Sequence, residues 1–184
     1  MLFGRKRLKQ AAAERLFVLS TARVTMETEL GLKPGGAAAV VFKPLSAAEF
    51  VRAENELQEL LEKVAQDSGS KVSRSSDDFG FEWLVIRDAD FEDLVATVHL
   101  IGSELQDRGF GDRLLAADFR FDLGERPVYW VYGYKRGAFW PFVPSGKEKE
   151  RDNAEELELK AKLEKELPVE QDLSCWFGLF DAPI

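Results

Sequence analysis

The stretch AAAVVFKPLSAAEF, residues 37–50, decides the fold class. Ala37 to Lys43, with Val40, Val41 and Phe42, is a short apolar run entered from the turn-forming Lys33-Pro34-Gly35-Gly36, and it predicts a buried strand. Pro44 stops it. Ser46 then opens a helix, and Glu49, three residues on, completes a capping box in which each side chain bonds the other's backbone N–H. Phe50, Leu57, Leu60, Leu61 and Val64 follow at helical spacing, opposite Arg52, Glu54, Glu56, Glu59 and Lys63. The helix is expected to end before Asp67-Ser68-Gly69.

Outward from this strand–helix pair the pattern continues. Residues 71–76 and 81–87 read as two strands joined by the turn Asp77-Asp78-Phe79-Gly80. The second has apolar residues on both faces, Phe81, Trp83 and Val85 against Leu84 and Ile86, which predicts an interior strand. Asp90 caps a helix carrying Phe91, Leu94, Val95, Val98, Ile101 and Leu105, and Gly109 closes it. Leu115, Ala117, Phe119 and Phe121 then alternate with Asp118 and Arg120. Turn chemistry over 122–127 leads into an aromatic strand, 128–134, with Trp130, Tyr132 and Tyr134 on one side. A tight turn at Lys135-Arg136-Gly137 returns the chain through 138–143, where Pro141 demands an edge position. A third helix is expected over 153–167, and the tail Leu173–Ile184, with Trp176, Phe177 and Phe180, is too apolar for a free end.

The order β-α-β-β-α-β, then a hairpin and a helix, predicts an α+β fold: an antiparallel sheet of ferredoxin-like order with a C-terminal aromatic extension. A secretion-chaperone-like α+β arrangement, with 23–43 as a peripheral hairpin, shares most of these elements. The expected organisation is a basic segment, 1–15, ahead of one α+β domain, 16–184, with its tail packed back.

Composition narrows the function. The 184 residues carry a net charge of −8, against the basic footprint of a general nucleic-acid binder. Cys175 has no second cysteine to pair with, and one histidine, His99, excludes a site built on two imidazoles. A reducing cytoplasm fits this cysteine usage. No G-x-S-x-G elbow or phosphate-cradling glycine loop accompanies His99, and Asp77 and Asp78 need no cation to make their turn. No cofactor or metal is expected, and no catalytic residue is assigned.

Two features stand out. Leu2 and Phe3 with Arg5, Lys6, Arg7 and Lys9 form an apolar, cationic start suited to an anionic membrane surface. The aromatic ribbon 129–142 carries more rings than one sheet face can bury, so some are expected to be exposed. Lys135, Arg136 and Arg151, bordered by Phe139 and Trp140, are expected to converge into one basic dock for a partner, while Asp152 or Asn153 caps the third helix.

Several runs resemble a known family. Asp78-Phe79-Gly80-Phe81-Glu82-Trp83-Leu84, Leu105 to Gly111, Tyr134 to Phe142 followed by Arg151-Asp152-Asn153, and Asp172 to Pro183 look like the signature of the PspA-associated family PspAB, from about Leu16 to the C-terminus. Gly178, where proline is expected, and Phe180, where tryptophan is common, depart from it. The resemblance implies a small cytoplasmic accessory protein beside a PspA-like coiled-coil protein of the phage-shock envelope-stress response, and the basic start adds the expectation of a peripheral position at the inner face of the membrane. It implies no catalysis. The leading expectation is therefore a non-enzymatic adaptor; the rivals are a chaperone-like homodimer holding an extended client, and an enzyme built around His99. These residues imply no particular oligomeric state.

Overall fold

A computed structural model describes residues 14–43 and 46–184; the basic segment Leu2–Lys9, Pro44 and the side chain of Phe50 lie outside the described residues. After a short 3-10 turn, Arg15–Phe17, the elements run α1 (Val18–Leu30), β1 (Leu32–Phe42), α2 (Ala47–Ser68), β2 (Lys71–Ser76), β3 (Glu82–Arg87), α3 (Phe91–Asp107), β4 (Leu114–Leu123), β5 (Arg126–Gly133), β6 (Ala138–Phe142) and α4 (Asn153–Leu163). The protein is α+β. One antiparallel sheet has the order β2-β3-β1-β4-β5-β6.

The capping box forms as read: Ser46 accepts from the Glu49 N–H at 3.3 Å and Glu49 accepts from the Ser46 N–H at 2.9 Å. Those bonds, with Arg113, hold the Glu49 carboxyl down at about 2. Asp90 caps α3, accepting from the N–H groups of Glu92 and Asp93. Asp152 caps α4, accepting from Glu155 N–H at 3.1 Å. β3 is interior, and Pro141 sits on β6 at the sheet edge, both as expected.

Three expectations change. Residues 18–30 are helical and β1 lies inside the sheet, so 23–43 is no peripheral hairpin. Lys33-Pro34-Gly35-Gly36 is not a separate turn. It is absorbed into β1, where the register with β4 slips between Pro34 and Ala38 and Gly36 takes φ +67°. Bonding against β4 overrides the local turn preference. Helix α4 ends at Leu163 rather than 167, although Leu167 is still buried.

Strand register separates the two faces. One presents Val40, Phe119, Phe121, Trp130 and Tyr132, buried together with the apolar stripes of α1 and α3; Phe91 of α3 packs on Phe119 and Phe121 at ring distances of 6.4 and 5.4 Å. The other face presents Val85, Ala39, Asp118, Val131 and Trp140 in one transverse row. Its cover comes from the far end of the chain.

Candidate interaction site at the C-terminal edge of the sheet

The hairpin β5–β6 is aromatic because edge strands bury little against neighbours in their own sheet and must bury rings against other elements. Tyr132 packs on Phe139 at 4.8 Å and on Tyr134 at 5.5 Å. Phe139, Trp140 and Phe142 are buried, as is Tyr129. The rings expected to spill onto the surface from this hairpin do not, because the tail supplies the missing cover.

That cover is built from hydrogen bonds as well as rings. Residues 168–170 extend the sheet beyond β6, with Phe139 N–H donating to the Pro168 carbonyl and Glu170 N–H to the Phe139 carbonyl, each at 2.8 Å. Asp172 then starts a short 3-10 turn, Leu173–Cys175, accepting from the hydroxyl and backbone N–H of Ser174; these bonds lower its pKa. Trp176 is buried and its indole N–H donates to the Glu170 carbonyl at 2.9 Å. The Trp140 indole N–H reaches the Phe177 carbonyl at 3.0 Å. Tyr129 O–H bonds the Ile184 carbonyl at 3.2 Å, and Arg87 on β3 reaches the Pro183 carbonyl at 3.4 Å. The tail therefore crosses the second sheet face from β6 to β3.

Trp176 is buried as expected, but Phe177 and Phe180 are not. Each lies edge-on against a sheet ring, Trp140 at 4.7 Å and Phe142 at 4.8 Å, and remains 43% and 37% exposed. A ring seated edge-on over another ring hides one side only.

The basic dock does not assemble. Arg151 pairs with Pro144, its Nε 2.9 Å from the buried Glu156 carboxylate, its Nη1 on the Trp176 carbonyl and its guanidinium 5.2 Å above the Phe142 ring. Burial raises the Glu156 pKa, opposed by the bond from Arg151 and by the Val143 N–H at 2.9 Å. Arg151 is thus a structural clamp between α4, β6 and the tail. Arg136, at the other end of β6, pairs with Glu170 at 3.2 Å. The five residues of β6, ~16 Å of strand, lie between their backbone positions. Lys135 and Arg136 are exposed at the turn; Phe139 and Trp140 are core.

The other candidates have local explanations. His99 is half-buried with its ring 4.7 Å from that of Phe17, and burial lowers its pKa. Asp77 accepts from the N–H groups of Phe79 and Phe81 and from the Trp83 indole, closing its own turn. Among the described residues no three His, Cys, Asp or Glu side chains gather as a metal site, and no helix is long and apolar enough to cross a membrane.

With this geometry in place, comparison with known proteins adds one finding. A family model described as PspA associated protein B, PspAB, matches residues 1–184, so the match extends over the N-terminal residues as well as the runs noted above. No curated protein and no solved structure matches the chain. The chain belongs to the PspA associated protein B family, whose name gives it an accessory role with PspA.

Proposed function

We infer that this protein is a non-enzymatic adaptor that contacts a PspA-type coiled-coil protein through the tail end of its sheet. One observation carries the reading: Leu173, Phe177 and Phe180 are all more than a third exposed within eight residues of ordered tail. An ordered, clustered apolar surface marks a contact site for another protein. Arg136 is close enough to influence Asp172 beside Leu173, and with its exposed chain neighbour Lys135 it offers a cationic rim for an acidic coiled-coil face. On this reading the protein works in the cytoplasm at the inner face of the membrane, in the phage-shock stress response. Leu2, Phe3, Arg5, Lys6, Arg7 and Lys9 supply the lipid contact. For the fold, we read residues 32–123 as a ferredoxin-like unit, supported by the order β2-β3-β1-β4.

The test is calorimetric titration of the purified protein with PspA from the same host. Leu173→Asp with Lys135→Glu should weaken binding at least about tenfold, the loss expected of a truncated contact of more than 1 kcal/mol, while Tm stays within a few degrees. Unchanged affinity contradicts the proposed surface.

A further inference from the structure

Asp118 is fully buried in the middle of the sheet, and among the described residues no side chain bonds or pairs with its carboxylate. Its register neighbours are Ala39 on β1 and Val131 on β5, and the same face carries Ala116 and Gly133 one row away. Small side chains around a carboxyl make a shallow trough, walled by Trp140 and Tyr129. The tail crosses this face, touching Trp140 and Tyr129 on one side of Asp118 and Arg87 on the other.

Chemically, the tail is a poor match for what it covers. Residues 173–184, LSCWFGLFDAPI, contain no lysine, arginine or histidine and add a further acid, Asp181. The nearest cation on β4, Arg120, is already bound to Asp122 at 3.1 Å. A buried carboxyl left unmatched is costly, and a cation would relieve it. The tail is also lightly held. From Phe177 onward its hydrogen bonds to the sheet, among the described residues, are three side-chain donations from the sheet to tail carbonyls, at 3.0, 3.2 and 3.4 Å, with no backbone ladder.

We propose that residues 177–184 form a displaceable strap, and that the face beneath it, centred on Asp118, docks a partner segment presenting a lysine or arginine among apolar side chains. Charge complementarity selects this occupant: the apolar trough takes the segment's aliphatic surface, and its cation replaces the missing partner of Asp118. The inference rests on the adaptor reading in taking the partner to be a protein.

Two experiments on the full chain decide it. In the first, Leu179→Lys and Ala182→Lys, at tail positions packed against the core, are each made with and without Asp118→Asn. A lysine supplied by the strap itself should cost less Tm when Asp118 is present, by about 3 °C or more at one position or both. Equal losses with and without Asp118 overturn the cation site. In the second, Gly178→Val lifts the strap, because a Cβ there lies 2.7 Å from the Phe180 ring and 2.9 Å from the buried Phe142 ring. This variant should bind a short apolar peptide carrying one lysine at least about fivefold more tightly than the unsubstituted chain does, since a strap that occupies the site reduces apparent affinity by the fraction closed. Asp118→Asn added to it should remove the gain. No gain, or a gain indifferent to Asp118, overturns the docking face. Failure of the unsubstituted protein to bind PspA overturns the partner reading above, and the peptide and lysine experiments then decide this face on their own.

Discussion

At the scale of single residues, Asp118 and Glu156 show two treatments of a buried acid. Glu156 is answered by Arg151 and a backbone N–H, so its charge is compensated. Asp118 has no side-chain partner among the described residues, and burial raises its pKa well above the ordinary 3.8, opposed by the neighbouring Phe119 N–H. The charged groups around it do not offset this: Tyr129 lies close enough to feel its charge, Arg120 is bound to Asp122, and Asp181 of the tail is itself an acid. A carboxyl whose folded pKa is raised contributes stability below its unfolded pKa and loses it as pH climbs through the folded one. Asp118→Asn, which keeps the shape and cannot ionise, should therefore raise Tm at pH 7. The gain should vanish as pH falls below about 3.8, the unfolded carboxyl's own range. Each kcal/mol corresponds to ~2–4 °C at this chain length, so thermal melts across pH resolve it. A difference independent of pH contradicts the assignment. None of this was legible in the sequence: Asp118 reads as the polar half of an alternating strand, and its face is crossed by a tail more than fifty residues away.

At the scale of elements, short-range chemistry read well and long-range competition did not. The caps at Ser46, Asp90 and Asp152 depend on bonds spanning two or three residues, and all three form. Helix α1 escaped notice because Val18, Thr21, Val24, Thr25 and Thr28 lower helix propensity and blur the stripe of Leu19, Ala22 and Met26 that it buries. The turn at 33–36 was lost to β4 pairing, a competitor no local window contains. The tail was legible as a packed segment but not residue by residue. Trp176 fills a buried site, whereas Phe177 and Phe180 meet rings that already occupy the space beneath them. Trp176→Ala should accordingly cost on the order of 3–5 kcal/mol, because it empties a core site and strands the Glu170 carbonyl it satisfies. Denaturant unfolding measures this directly. A loss below ~1 kcal/mol would mean the tail contributes nothing to the fold.

At the scale of the whole molecule, one sheet carries two differently covered faces. One is packed by α1 and α3, and the other is crossed by residues 177–184. Arg151 ties α4, β6 and the tail together, which leaves the exposed chemistry of this end to Lys135, Arg136, Leu173, Phe177 and Phe180. Family membership and that surface are what support the proposed adaptor role. Cross-linking mass spectrometry of the purified protein with PspA from its host tests this most directly. Photo-reactive groups at Leu173 and Phe177 should give PspA cross-links that free unlabelled protein competes away, while groups on α2, at Glu56 or Glu59, give none. Cross-links concentrated on α2, or none from either region at concentrations where the two proteins co-sediment, would contradict the tail as the contact surface.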